Sequence, residues 1–204
     1  MKILLTAFEP FGGEIVNPSL EALARLPETV RSARLLRLTL PVVFGRSADL
    51  AIEAMAAEQP DAVLCLGQAG GRSGLTPERV AVNLQDATVP DNAGNQPRDC
   101  PVVPGGPAAY FSTLPVKAMT EAIRAAGVPA SLSLSAGAYV CNHLMYSVLH
   151  AAATRWPWMR CGFLHLPYMH QQVIARPGVP SLSLDDMVRG LEAAITAIAE
   201  APQA

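Results

Sequence analysis

Apolar and polar residues follow two different patterns along this chain. Short, almost continuous apolar runs predict buried β-strands at residues 2–6, 34–43, 61–67, 130–135 and 161–166. Segments with the 3.6-residue period of a helix lie between and after them, at residues 18–26, 44–58, 116–126, 141–153 and from 183 onward. The chain therefore predicts an α/β fold, in which helices cover both faces of a largely parallel sheet.

Capping residues support two of the predicted helix starts. Asn17 is a suitable N-cap, and Pro18 then occupies the first helical position. Ser183 is followed three residues later by Asp186, and the apolar positions behind it fall on one stripe. A length of 204 residues without a linker-like stretch suits one domain, residues 1–204.

Residues 84–112 are the exception to this regular pattern. The segment is rich in proline and glycine and shows neither period. A loop of this length in a compact domain is more often functional than not. Sites in α/β sheets lie outside the carboxyl ends of the strands, and we expect one there.

Composition narrows the possible functions. Charged residues make up only 16% of the chain, the formal net charge is −2, and Lys and Arg form no cluster, which argues against nucleic acid or an acidic membrane as partner. The apolar start is too short for a signal peptide, and no later run could span a membrane. Cys65, Cys100, Cys141 and Cys161 lack zinc-site spacing, so we expect reduced thiols, no structural zinc and a cytoplasmic location.

Cys141 is the first candidate for chemistry, in the stretch SAGAYVCNHLMY. Small residues and a glycine lead into this cysteine, which opens a predicted amphipathic helix. A free cysteine is most often a small buried hydrophobe. At a helix N-terminus, however, N–H groups and the helix dipole lower the pKa of a nucleophilic thiol and stabilise an oxyanion. The residues alone leave both interpretations open.

The four histidines differ in how well they could serve Cys141 as a base. His143 lies two positions along the helix and points away, and His150 lies about 13 Å further up the helix axis. His165 lies near the carboxyl end of a predicted strand, and His170 follows in a loop. The position of His165 suits a general base and a core imidazole equally well.

A carboxylate would orient such an imidazole. The candidates in loop regions are Glu9, Glu14, Glu78, Asp86 and Asp91. Glu78 follows the predicted central strand and a glycine-rich loop, but it also suits a surface carboxylate paired with Arg79.

The glycine-rich loop, GQAGGR, lacks the P-loop lysine and the GxGxxG spacing, so it is a weak signal for phosphate binding. Phe8 and Phe11, in FEPFGG, suit core packing or the walls of a small apolar pocket.

Six segments in the same order resemble the pyroglutamyl peptidase I family, the pyrrolidone-carboxylate peptidases, which remove an N-terminal pyroglutamyl residue. They span essentially the whole chain: TAFEPFGGEIVNPS, LCLGQAGGRSGLTPERVAVN, VPDNAGNQP, GGPAAYFSTLPVKA, SAGAYVCNHLMY and GFLHLPYMHQQ. The resemblance implies an α/β/α sandwich, no metal or organic cofactor, a cytoplasmic location and a homotetramer. It further implies that Cys141 is the nucleophile, His165 the general base and then acid, and Glu78 the group that orients the histidine.

The resemblance also implies a pocket for the pyroglutamyl ring. Its positions match Phe8, Phe11, Asn17, Val42, Gln68, Val89, Tyr139 and Val140. Phe8 and Phe11 match the family's ring-clamping aromatics, and Gln68 matches the glutamine whose loop binds the lactam. An ordinary peptide would bring a charged α-amine into this apolar site, at a desolvation cost that excludes it.

The chain departs from the family pattern at one position. Thr88, in ATVPDN, stands where relatives commonly carry arginine, which affects the details of oxyanion stabilisation rather than the reaction class. Two other functions stay open: a cysteine hydrolase of another small lactam or amide, and a non-catalytic α/β module that binds a small molecule. Trp156 and Trp158 suit either a loop tip or a subunit contact.

Overall fold

The computed structural model describes residues 1–202, and within them it contains ten strands and six helices. The strands are β1 (Lys2–Phe8), β2 (Thr29–Val30), β3 (Ala33–Leu40), β4 (Ala62–Gln68), β5 (Thr76–Glu78), β6 (Val80–Val82), β7 (Ala109–Phe111), β8 (Arg160–Leu166), β9 (Tyr168–Met169) and β10 (Ser181–Leu182). The helices are α1 (Pro18–Arg25), α2 (Arg46–Glu58), α3 (Val116–Ala125), α4 (Val140–Arg155), α5 (His170–Val173) and α6 (Leu184–Glu200).

The central sheet has the strand order β2-β3-β1-β4-β8-β5. Its four inner strands run parallel, and the short strands β2 and β5 add antiparallel edges. Every residue of β4 is buried, as its apolar run predicts for a central strand. The predicted α/β fold with a largely parallel sheet is confirmed.

Two apolar cores lie on opposite faces of the sheet, because successive side chains of a strand point to opposite sides. Ile3 and Leu5 of β1 pack in the core that also contains α1, α3 and α6. Leu4 and Phe8 pack in the other core, with α2 and α4. The helices therefore form two layers around the sheet, which is the sandwich that the resemblance implied.

The two predicted N-caps are present at α1 and α6. Asn17 Oδ1 accepts a hydrogen bond from Ser19 N at 3.0 Å, and Ser183 Oγ accepts one from Asp186 N at 3.1 Å. The predicted apolar stripe of α6 is buried at Met187, Leu191, Ile195 and Ile198. None of the helices in residues 1–202 is long and apolar enough to cross a membrane.

The strand predicted at residues 130–135 does not form. The segment lies along β5 and makes isolated bridges from Ala130 to Leu75 and from Ser133 to Glu78, with backbone hydrogen bonds from Ser131 N to Leu75 O and from Ser133 N to Pro77 O. A continuous strand does not extend further, because β5 offers just three residues for pairing. Beyond this pairing, Ser133 Oγ accepts a hydrogen bond from Ser135 N at 3.3 Å, a local turn contact. The segment instead turns toward the start of α4.

The predicted long loop is irregular up to β7, which pairs with β6. The buried carboxylate of Asp91 organises it by accepting hydrogen bonds from the backbone N–H groups of Phe44, Ala93 and Asn95.

The turn between α4 and β8 contains both tryptophans. Trp156 is partly buried against the core, and Trp158 is exposed.

Candidate active site

A cavity of about 310 Å³ opens at the carboxyl ends of β1, β4 and β8. Phe8 ends β1, Gln68 ends β4, and His165 is the last but one residue of β8. Cys141 reaches the same cavity from the N-terminus of α4. The described residues that line it are Phe8, Phe11, Asn17, Val42, Gln68, Ala69, Arg72, Ser135, Ala136, Gly137, Tyr139, Cys141 and His165.

Six of the eight predicted pocket residues line this cavity. The other two do not: Val89 is 52% exposed in its loop, and Val140 is buried in the core, since it begins α4. Thr88 is exposed beside Val89 and is also outside the cavity lining. Asn17 lines the cavity, but both ends of its amide are already used, since Nδ2 donates to Glu9 O and Oδ1 caps α1.

Glu78 and His165 form a buried pair behind the cavity wall. Strand β5 runs antiparallel to β8 and pairs Thr76 with His165, which places the Glu78 carboxylate beside the imidazole. Glu78 Oε1 lies 2.7 Å from His165 Nδ1, and Glu78 is fully buried. The interpretation of Glu78 as a surface carboxylate paired with Arg79 is therefore wrong. Arg79 lies over the ring of Phe111 instead.

The charge on Glu78 fixes the tautomer of His165. Burial opposes ionisation of Glu78, but the hydrogen bond from His165 and the charge of Arg72 act against it, and the pKa of Glu78 stays below its usual value. An ionised carboxylate only accepts hydrogen bonds, so His165 Nδ1 carries the proton and donates it. Nε2 is then the nitrogen that is able to accept a proton.

Helix α4 presents Cys141 and unpaired backbone amides at its first turn. Almost every face of the helix is buried, so the predicted amphipathic pattern is wrong and the helix runs through the core. Its N-cap, Tyr139, provides no side-chain hydrogen bond, and its carbonyl accepts the bond from His143 N at 3.0 Å. First-turn N–H groups without intrahelical partners are suited to bind an oxyanion.

Gly67 provides the space that the thiol occupies. It lies on β4 directly beside His165 of β8. A Cβ atom at this position would lie 3.0 Å from Cys141 Sγ and 2.7 Å from Phe163 Cζ. The ring of Phe163 in turn packs 4.6 Å from the imidazole of His165, measured between ring centroids. A side chain at position 67 would therefore disturb the thiol and the imidazole together.

The thiol and the imidazole are both neutral at neutral pH. Burial raises the pKa of Cys141 to about 12, and the negative charge of Glu78 adds to the increase. Burial also lowers the pKa of His165, although Glu78 acts in the opposite direction. Burial and the charge of Glu78 therefore act on the pKa of Cys141 in the direction opposite to that expected from the helix N-terminus.

The other histidines are engaged elsewhere and do not line the cavity. His143 lies between Gln85 Oε1 and Gly45 N, at 2.9 and 3.2 Å. His150 Nδ1 lies 2.9 Å from Tyr110 Oη, and His170 Nδ1 lies 2.9 Å from Ser181 Oγ. The exclusion of His143 and His150 on helix geometry is confirmed. Among residues 1–202, no three His, Cys, Asp or Glu side chains group closely enough to hold a metal ion.

Fold and site together define a class of protein. It is an α/β protein in which a thiol, an imidazole and a carboxylate gather at an apolar cavity, the side chains from which thiol hydrolases are built. The pyroglutamyl peptidase family model matches residues 1–201, and the chain belongs to that family.

Similar proteins cover nearly the whole chain. A pyrrolidone-carboxylate peptidase of Levilactobacillus brevis is 57% identical over 97% of this chain and 97% of its own length. The crystal structure of Bacillus amyloliquefaciens pyroglutamyl peptidase I superimposes with a TM-score of 0.95, at 46% identity over 98% of this chain and 97% of that one. A mutant pyrrolidone carboxyl peptidase of Pyrococcus furiosus has a TM-score of 0.93 at 40% identity, over 98% and 99% of the two chains.

Proposed function

We propose that this protein is a cysteine exopeptidase that hydrolyses the bond after an N-terminal pyroglutamyl residue. The observation that carries the proposal is the meeting of Cys141 with the Glu78–His165 pair at one apolar cavity, in a chain of the pyroglutamyl peptidase family. Cys141 acts as nucleophile, His165 as general base and then acid, and Glu78 holds the imidazole in its tautomer.

The cavity suits a small neutral acyl group. Its volume of about 310 Å³ is at the lower end for ligand pockets, about 300 to 1,000 Å³. Phe8, Phe11 and Tyr139 supply aromatic walls. The Gln68 amide also lines the cavity; its Oε1 accepts a hydrogen bond from Gln172 Nε2 at 3.0 Å, which leaves Nε2 to donate to the lactam C=O group. No carboxylate is among the described lining residues, so a free α-ammonium group would be desolvated there without a partner.

The first chemical step forms a thioester. Cys141 Sγ attacks the pyroglutamyl carbonyl carbon while the thiol proton moves to His165 Nε2. The carbonyl oxygen becomes an oxyanion, which the first-turn amides of α4 stabilise. The imidazolium formed at this moment lies 2.7 Å from the ionised Glu78, which stabilises it. The C–N bond then breaks, and the leaving amine takes the proton from His165.

The second step restores the enzyme. A water molecule gives a proton to His165 Nε2 and attacks the thioester carbonyl. The C–S bond breaks, free pyroglutamic acid leaves, and the sulfur recovers its proton from the imidazolium. Because thiol and imidazole start and finish neutral, proton transfer accompanies the attack rather than preceding it.

The substrate range tests this function. We expect hydrolysis of a chromogenic pyroglutamyl amide and no measurable hydrolysis of the prolyl and glutamyl amides, since prolyl and glutamyl groups carry a free α-amine. Steady-state rates on the three substrates measure it. Preference for another lactam would establish the alternative hydrolase, and no turnover of any substrate by folded protein would favour the binding module.

The resemblance also supports a cytoplasmic homotetramer as part of the proposal. Light scattering coupled to size exclusion would give the mass of four chains. A monomeric mass at micromolar concentration would exclude a stable tetramer.

Gly67→Ala is expected to damage the site more than the fold. The added methyl group displaces Cys141 Sγ and the Phe163 ring, so we expect kcat/KM for pyroglutamyl amides to fall roughly 100-fold. Gly190→Ala is the matched control: its Cβ would crowd Leu75 Cδ2 at 2.8 Å, far from the cavity. Equal activity losses in the two variants would show that crowding, and not the position of the thiol, matters.

A further inference from the structure

We propose that Arg72 is a positioning residue of this site, which keeps Glu78 ionised and His165 unprotonated between catalytic cycles. The inference rests on the proposed roles of Cys141, His165 and Glu78. Arg72 lies in the loop between β4 and β5, six residues before Glu78, and the family resemblance assigned it no role.

Three contacts fix the Arg72 guanidinium. Its Nη1 lies 2.6 Å from Glu78 Oε1 and also donates to Thr76 Oγ1. Its Nη2 donates to Ser135 O at 3.1 Å, which ties it to the segment that leads into α4. Glu78 Oε1 is the same oxygen that accepts the hydrogen bond from His165 Nδ1. A single carboxylate oxygen is therefore shared by a permanent cation and the imidazole.

Glu78 is buried more deeply than Arg72, and the Arg72 guanidinium supplies the positive charge that balances the Glu78 carboxylate. The Glu78 side chain is 0% exposed, whereas that of Arg72 is 28% exposed and also lines a hydroxyl-rich surface groove beside Ser73, Ser131 and Ser133. Glu78 Oε2 has no hydrogen-bond partner in the described residues. Among those residues, Arg72 is the only Lys or Arg in salt-bridge contact with Glu78.

Loss of this cation would change the state of His165. A buried charge without a partner is strongly unfavourable, so the site would recover neutrality by binding a proton. His165 is the group in direct contact with Glu78, and the resulting imidazolium is unable to accept the thiol proton from Cys141. Burial is the largest cause that lowers the pKa of His165, and the charge of Arg72 lowers it further.

Of the charged groups around His165, Glu78 raises its pKa and Arg72 lowers it. His165 faces Glu78 from β5, Cys141 from α4 and Arg72 from the β4–β5 loop. Cys65 of β4 is the register partner of Phe163 on β8, two residues before His165. Burial raises the pKa of both cysteines to about 12, so neither contributes charge at neutral pH. Removal of Arg72 leaves Glu78 as the only charge beside the imidazole, and Glu78 favours its protonated form.

Arg72→Gln tests this role, because glutamine keeps hydrogen-bonding groups and removes the charge. We expect the acidic limb of the profile of kcat/KM against pH to move to higher pH. At neutral pH we expect a loss of roughly 10- to 100-fold with a pyroglutamyl amide. Arg72→Lys keeps the positive charge but loses the planar geometry of the guanidinium group, so its acidic limb should stay close to that of the wild type.

The matched control is Arg79→Gln. Arg79 lies seven residues after Arg72, and its guanidinium stacks on the ring of Phe111. The profile of Arg79→Gln should coincide with that of the wild type. The proposal would be overturned if the acidic limb of Arg72→Gln lay at the same pH as in the wild type or at a lower pH. An equal shift in Arg72→Lys would also overturn it, because the charge would then not be the cause.

A measurement without substrate separates this inference from the proposed function. NMR titration of 13C-labelled imidazole should show a higher pKa for His165 in Arg72→Gln than in the wild type. Activity retained by Cys141→Ser would refute the nucleophile but leave this titration interpretable. If Arg72→Gln does not fold, a wild-type acidic limb in folded Arg72→Lys still supports the role of the charge, and a shifted one overturns it.

Discussion

Cys141→Ser is expected to lower kcat/KM for pyroglutamyl amides by about 10⁴-fold or more, the range seen when a catalytic nucleophile is removed. A serine hydroxyl is a much weaker acid than a thiol, and His165 is a weak base because burial lowers its pKa. The imidazole is therefore unable to activate serine efficiently. Steady-state kinetics, with active-site titration of the wild type, measure the loss.

Cys100→Ser is the matched control for this variant. Cys100 is the other partly buried thiol, and it contacts Gln85 outside the cavity lining. We expect its kinetics to equal those of the wild type. Substantial activity in Cys141→Ser would show that another group attacks the substrate.

Glu78→Gln is expected to lower kcat by about 10³- to 10⁴-fold. The glutamine amide is able to donate to His165 Nδ1, which would place the imidazole proton on Nε2, the nitrogen that must accept the thiol proton. The developing imidazolium also loses its counter-charge. The exposed Glu121→Gln, on α3, provides a control that changes the same charge far from the site.

The same Glu78→Gln variant should make the thiol more acidic while it destroys catalysis. The charge of Glu78 raises the pKa of Cys141, and that of Arg72 lowers it. Removal of the anion leaves the cation uncompensated, so alkylation by iodoacetamide should reach its half-maximal rate at a lower pH than in the wild type. A higher pH for this half-maximum would contradict the electrostatic account of the site.

The sheet was largely predictable, because the parallel strands β1, β4 and β8 are buried on both faces and each carries its own apolar signal. Strand β4, with its buried run AVLCLGQ, is the clearest case. Residues 130–135, ASLSLS, alternate leucine with serine instead, and their neighbour in the sheet, β5, is three residues long. The mistaken amphipathic pattern in α4 has a related cause, since the loops and α2 cover the side that a surface helix would expose.

The edge of the sheet where the site lies followed from rules of position, the roles of Cys141 and His165 came from the family resemblance, and their protonation followed from neither. His165 was placed by the end of its strand, whereas His143 was excluded by its helix spacing. The thiol pKa depends on enclosure and on the distance to Glu78, which arise only when β5 and α4 meet. Gly67 and Arg72 gave no local signal, since one acts by lacking a side chain and the other by reaching back across a loop.

The neutral thiol also affects how fast oxidants modify Cys141 between catalytic cycles. Peroxides react with thiolates far faster than with thiols, and sulfinic and sulfonic acids are irreversible products. With the pKa of Cys141 at about 12, only a very small fraction of the sulfur is ionised at neutral pH. The nucleophile becomes reactive when a substrate carbonyl accepts its electrons and His165 its proton, so reactivity is confined to the moment of catalysis.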